Sequence, residues 1–266
     1  MKNALLRSAF TAAAIATAAI LSDGIATQAS PTQTSELNTA QSTETDTSET
    51  VEVVVTIDNL APDQGLILTP LWAGFHDGSY DIYEPGLAAS AGLERIAEDG
   101  SPMALSAAFM SSDEDWVDGV LTGDGISPDS PPLIGPGSSA TLTFEVDPAN
   151  SYFSYASMIL PSNDGFIANE SGTAHRVFDA NGEFVATDFV VIGGQIQDAG
   201  TEVNDEVAEN VPVLGQMAPN TGTDEDGVVT NHAGFAADGN VLTAFPAADF
   251  EQSLYPVARI RVELAE

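Results

Sequence analysis

One stretch constrains the fold more than any other. From Tyr152 to Leu160 the chain reads YFSYASMIL, and Tyr152, Phe153, Tyr155, Met158, Ile159 and Leu160 make it apolar with little alternation. A run of this length and composition fits a strand buried across the middle of a sandwich. Pro161 and Gly165 then bracket a loop in which Ser162, Asn163 and Asp164 offer side-chain oxygens. Proline and glycine break the strand there, and an oxygen-rich loop at a rigid strand end is a framework for a cation site.

The rest of the chain supplies partners for that strand. In VEVVVTIDNL, Val51, Val53, Val55 and Ile57 share one face, with Glu52, Thr56 and Asp58 on the other. Ala140, Leu142, Phe144 and Val146 alternate with Thr141, Thr143 and Glu145, and the segment Pro148 to Asn150 predicts a turn that pairs this strand antiparallel with the buried run. Leu66 to Phe75 is interrupted by Pro70, which predicts an edge position or a bulge. Met103 to Phe109 reads as a strand, and Asn181-Gly182 predicts a hairpin between His175–Asp179 and Glu183–Ile192. In the last strand, Tyr255 to Leu264, the inward residues are Ala258, Ile260, Val262 and Leu264, and Arg259 and Arg261 point out. A single short helix is predicted, with Ser90 as N-cap, Leu93, Ile96 and Ala97 on one face and Gly100 at its end, plugging one end of a sheet. About eight strands with one short helix predict an all-β fold, an antiparallel β-sandwich.

The N-terminus carries a different signal. Lys2 and Arg7 precede an apolar run from Ala9 to Leu21, and the small residues Gly24, Ala26 and Ala29 follow. This is the pattern of an export signal over residues 1–29, and its apolar part falls short of the roughly 20 residues a membrane span needs. Residues 30–50 are rich in Ser, Thr, Gln and Glu and predict a disordered linker. The domain then covers 51–266, with 203–250 a long acidic loop region. The expected location is outside the cytoplasm, extracellular or periplasmic, and with no cysteine the fold relies on its core and on any bound metal.

Charge narrows the partners. The formal net charge is −34, and removal of residues 1–29 leaves four arginines against 39 carboxylates, 4 − 39 = −35, with no lysine. Such a field excludes nucleic acid and disfavours membrane binding through anionic lipid. Adaptation of the whole surface to a saline exterior explains the charge as well as a specific ligand does.

Within DAGTE, Asp198 and Glu202 are separated by three small residues that let the backbone fold tightly between them. Their oxygens, with those of the Asp164 loop, are of the kind that calcium takes, about 6 to 8 at a time. Among 40 acidic residues, spacing alone does not separate such a pair from a solvated loop. No nucleophile elbow, zinc helix or glycine-rich phosphate loop is present, and His76, His175 and His232 lie in different segments. No catalytic residue is assigned, and a hydrolase built on paired carboxylates is the remaining enzymatic alternative. His76 and Asp77 are expected to form a hydrogen-bonded turn beside the helix.

Four blocks carry a resemblance to a known family: LWAGFHDGSYDIYEPGLAASAGLERIAEDGSP (71–102), FEVDPANSYFSYASMILPSNDGF (144–166), DAGTE (198–202) and YPVARIRVEL (255–264). In this order they resemble the spondin domain, a module of extracellular-matrix proteins and of secreted bacterial proteins, over roughly 51–266. The resemblance implies a β-sandwich similar to calcium-dependent membrane-targeting modules, with one calcium ion at the loops and ligands at Asp164, Asp198 and Glu202. It implies a non-enzymatic adhesion or matrix-type binding module whose partner is an extracellular protein or polysaccharide, reached through the ion. A purely structural exported domain without a partner is the alternative. Glu202 stands where the family has aspartate, Gly165 where the animal proteins carry tryptophan, and their cysteines are missing.

Overall fold

The structure is a computed structural model and describes residues 49–127, 131–251 and 254–266; the segment 1–29 expected to direct export and the expected linker up to residue 48 lie outside them. In chain order the elements are β1 (Val51–Asn59), β2 (Ile67–Leu68), β3 (Leu71–His76), α1 (Ala91–Asp99), α2 (Met103–Ser112), β4 (Val117–Leu121), β5 (Ser139–Val146), β6 (Tyr152–Leu160), β7 (Gly165–Ala168), β8 (His175–Arg176), β9 (Thr187–Ile192), β10 (Gln197–Asp198), β11 (Thr230–Asn231), α3 (Asn240–Ala244) and β12 (Pro256–Leu264). All paired strands run antiparallel.

Two sheets form the sandwich. The smaller has the order β5-β1-β12-β9, and the larger runs β11-β10-β7-β6-β3-β4, with β2 and β8 also paired to β6. Alternation explains the smaller sheet: Val53, Val55 and Ile57 of β1 and Ala258, Ile260 and Val262 of β12 are buried, and the residues between them face out. These side chains pack against Leu71, Ala73, Phe75, Phe153, Tyr155 and Ile159 of the larger sheet.

The larger sheet is covered on its second face as well. Trp72, Ala156, Phe166 and Ala168 point away from the sandwich core and meet Leu93, Ile96 and Ala97 of α1 and Leu105 and Phe109 of α2. Burial on both faces is why β6 reads as a continuous apolar run and not as alternation. The helix α1 begins and ends where its caps require: the Ser90 hydroxyl accepts from Leu93 N–H, and Gly100, at φ 63°, returns its N–H to Ile96.

Several expectations need correction. Residues 103–109 belong to α2, because Met, Ala and Leu are strong helix formers and Leu105 and Phe109, four apart, both reach the core. α1 and α2 lie over a sheet face and plug no end, and three α-helices and twelve strands occur among the described residues, more than the one and about eight expected. Strands β5 and β6 do not pair: the turn at 147–150 carries the chain from one sheet to the other. Leu264 is 51 % exposed, because β12 runs past the core at its end. β3 is an interior strand, and Pro70 is accommodated in the break between β2 and β3. The Asn181-Gly182 hairpin is present but short, held by Asp179 N–H to Glu183 O and a Phe178–Phe184 bridge.

Candidate functional site

The end of β6 sets the position of Asp164. Ser162 Oγ donates to Ile159 O at 2.6 Å and accepts from Gly165 N–H at 3.0 Å, which folds the loop back so that β7 starts at once. β7 then pairs with β10, with Gly165 opposite Asp198. This register, fixed by the buried strand, lays DAGTE against the loop, and Ala199 N–H donates to Asp164 O at 3.2 Å.

The Asp164 carboxylate is fully buried. Its Oδ2 accepts from Thr201 N–H at 2.8 Å and Glu202 N–H at 3.1 Å, while its Oδ1 finds no hydrogen-bond partner among the described residues. Burial, and after it the charge of Asp198, pushes the Asp164 carboxyl up to about 7, against the pull of the two N–H donors. Asp198 accepts from Gly200 N–H at 2.8 Å and from Asn204 Nδ2 at 2.5 Å.

Glu202 is arranged differently. Its Oε1 accepts from Gly222 N–H at 3.0 Å, and its buried Oε2 is unpartnered among the described residues. Burial pushes this carboxyl up to about 7, with Glu98 the first of the neighbouring charges and Asp164 the second. The structure therefore brings Asp164 and Asp198 together at one strand junction, and Glu202 joins them by its backbone N–H while its carboxylate sits beside Glu98. Among the described residues no group of three or more His, Cys, Asp and Glu side chains is arranged to hold a metal ion. The donors themselves are hard oxygens, and two of them, Asp164 Oδ1 and Glu202 Oε2, are free to accept.

The acidic segment beyond DAGTE packs on the site. Glu225 N–H donates to Thr201 O at 2.9 Å, Gly227 N–H to Gly200 O at 2.7 Å and Val203 N–H to Thr223 O at 2.8 Å, so TDEDG lies alongside DAGTE. Between it and α1 is a cavity of about 420 Å³ lined in part by Glu94, Glu98, Thr201, Asp224 and Asp226.

His232 is a neighbour that the sequence did not mark. β11 pairs with β10, and just beyond it His232 N–H donates to Ile196 O at 3.0 Å. His232 Nδ1 accepts from Gly234 N–H at 3.0 Å, which leaves the ring proton on a buried Nε2 without a partner among the described residues. Burial lowers its pKa, against the charges of Asp198 and Glu206. A Cβ on Gly165 would lie 3.1 Å from the His232 ring and 2.9 Å from Ser162 Oγ, so a large side chain at 165 has no room. Only the strand pairing brings His232 here.

The other histidines have structural partners. His76 Nδ1 accepts from Gly78 N–H at 3.0 Å, so its Nε2 donates to the Ser154 hydroxyl at 2.8 Å. That is the reverse of the direction in which a histidine activates a serine, and both residues are fully buried. Asp77 accepts from Ser79, completing the expected turn. His175 stacks on Phe189 with ring centroids 3.8 Å apart.

Comparison with known proteins bears on the same region. A protein-family model described as Spondin_N matches residues 61–201, a span that contains Asp164 and Asp198 and stops one residue before Glu202. No curated protein matches the chain.

Proposed function

Because the chain belongs to the spondin N-terminal domain family, we propose that it is an extracellular, non-enzymatic binding module whose β6–β7 and β10 loops take one calcium ion. The observation that carries this reading is the Asp164 carboxylate, buried at the strand junction beside Asp198 with Oδ1 left without a partner among the described residues. A buried carboxylate oxygen of this kind calls for a proton or a cation. Asp164, Asp198 and Glu202 would hold the ion, and the ion when bound supplies positive charge and further coordination positions. Export is in keeping with the segment at residues 1–29. No helix among the described residues is long and apolar enough to cross a membrane.

In this reading the residues around the ion do the organising. Thr201 and Glu202 N–H groups hold Asp164 Oδ2, and Asn204 holds Asp198, so these two carboxylates are already placed, while the Glu202 carboxylate would have to turn from Gly222 toward them on binding. Open positions on the ion would then accept a carboxylate or sulfate of an extracellular protein or polysaccharide, which a surface of this charge repels unless a cation bridges them. A purely structural role is the second reading, favoured by the full engagement of both Asp198 oxygens with N–H donors.

Calorimetric titration of the intact protein with calcium, beside Asp164→Asn and Asp198→Asn, tests the site. One saturable site lost in both variants is the expected result. Diffuse, salt-sensitive uptake retained by both variants would assign the acidity to the surface alone.

A further inference from the structure

The helix α2 is apolar all round, although only one side of it is buried. Leu105 and Phe109 face inward, against α1 and Trp72. The opposite side carries Met103, 78 % exposed, and Met110, 41 % exposed, with the exposed Ala104, Ala107 and Ala108 beside them. Met103, Ala107 and Met110 are four and three residues apart and so share one face. Residues 101–112 contain no charged side chain, where the solvent side of a surface helix ordinarily holds most of its charges.

Charge begins where the helix stops. Asp113, Glu114 and Asp115 follow directly, all exposed, and no basic residue stands in the last turn. A helix C-terminus carries partial negative charge and favours cations, so three carboxylates at that end repel it and one another. The arginines of the described residues leave this repulsion in place, because each is engaged elsewhere: Arg95 pairs with Glu98 and Asp99, Arg259 with Asp188 and Arg261 with Asp58, and Arg176 Nε donates to Phe178 O.

We propose that the outer face of α2 docks an amphipathic basic helix of a partner protein. The apolar stripe of that helix lies on Met103, Ala107 and Met110, whose flexible thioether side chains adapt to the surface they meet, and lysine or arginine at one end answers Asp113, Glu114 and Asp115. The charges select this occupant. A second copy of the chain would bring the same carboxylates, and an anionic lipid surface is repelled by a net charge of −34. The surface is separate from the calcium reading, since Asp164, Asp198 and Glu202 belong to other segments.

An amidated leucine–lysine peptide of about four turns, with leucine at helical spacing, is the probe, titrated by fluorescence anisotropy against the intact protein in calcium and in chelator. Saturable one-to-one binding with a gain of peptide helicity is expected in both buffers, and a glutamine–lysine peptide of the same charge should bind roughly tenfold more weakly. Met103→Gln combined with Met110→Gln should weaken the leucine–lysine peptide by roughly tenfold and leave the melting temperature unchanged, because both side chains are exposed. Asp113→Asn with Glu114→Gln and Asp115→Asn should weaken it by roughly three- to tenfold. The same neutralisation at the exposed Glu52, Glu145 and Glu263 of the smaller sheet should leave affinity within roughly twofold. Equal binding of the two peptides, or equal loss from both sets of neutralised acids, would reduce the interaction to overall charge and overturn the proposal. Self-association of the protein, or pelleting with phosphatidylcholine vesicles, that the methionine variant abolishes would also overturn it, by assigning the face to a second copy or to a lipid surface.

Discussion

Asp164 and Glu202 meet through the backbone: Asp164 Oδ2 accepts the Glu202 N–H at 3.1 Å, while the Glu202 carboxylate accepts from Gly222 N–H at 3.0 Å on another side. The two acids are thus tied together without sharing a proton or a donor.

From this arrangement the Asp164→Asn variant should have opposite effects in two conditions. The amide oxygen can replace Oδ2 as acceptor, and the buried charge disappears. In chelator near pH 8 the variant should be more stable than wild type by about 1 kcal/mol or more. In excess calcium it should lose the stabilisation that binding gives wild type, about 2.7 kcal/mol at a hundredfold excess over Kd. Scanning calorimetry in both buffers reads this, and a variant less stable than wild type in chelator would remove the unpaired-charge argument.

Gly200 holds the pairing of DAGTE with TDEDG. Its φ is +67°, and an added Cβ would lie 2.6 Å from the backbone N and O of Val228, which have no side-chain freedom to retreat. Gly200→Ala should therefore cost about 2 kcal/mol or more in urea unfolding. Faster amide exchange at Glu225 and Gly227, whose N–H groups pair with Thr201 and Gly200, should accompany it. A change below about 0.5 kcal/mol, within the range of ordinary surface substitutions, would show that the two segments can slide apart freely.

Two buried histidines each contribute a loss of stability on mild acidification. Burial lowers His76 and His175 from 6.5 to about 4. Between these limits the unfolded chain binds more protons than the folded one. Their contribution is complete above about pH 6.5, declines as pH drops toward 4 and loses nothing further below that. Asp164 and Glu202, pushed up to about 7, act in the opposite sense in metal-free protein. A difference measurement isolates the histidine: relative to wild type, His175→Phe, which keeps the stack on Phe189, should gain stability as pH falls from 7 to 4.5. A difference independent of pH would mean that His175 titrates alike in both states.

Asn59 closes the entrance to the larger sheet. Its Nδ2 donates to Leu66 O at 3.0 Å and Ile134 O at 2.8 Å, and its Oδ1 accepts from Ala61 N–H at 2.9 Å. Asn59→Ala leaves Leu66 O and Ala61 N–H unmet, while Ile134 O keeps the Leu68 N–H at 3.1 Å, and should cost about 2 to 4 kcal/mol by chemical denaturation, with calcium affinity unchanged. A loss below about 1 kcal/mol would mean that water replaces the amide.

Local pattern made most of the sandwich legible. The alternation of β1, β5 and β12, the apolar run of β6 and the caps of α1 all state in sequence what they do in the fold. Met103 to Phe109 misleads because a short apolar segment satisfies either period, and the helical one is settled by contacts of Leu105 and Phe109 with α1 and Trp72. The pairing of β5 with β1 in place of β6 is decided by the opposite sheet, far along the chain. At the site, Asp164, Asp198 and Glu202 stand out through the family blocks, but the Glu202 carboxylate's position beside Glu98 follows from the Gly222 turn, and His232 arrives only by way of the β10–β11 pairing. Neither has a local signal.

The place of β12 in the smaller sheet has a consequence for synthesis. It lies between β1 and β9, pairing Val53 through Asn59 on one side and Thr187 through Ile192 on the other. A chain that ends at Tyr255 leaves β9 without a neighbour and opens the core where Val257, Ile260 and Val262 belong. The growing polypeptide should thus remain protease-sensitive until β12 is delivered.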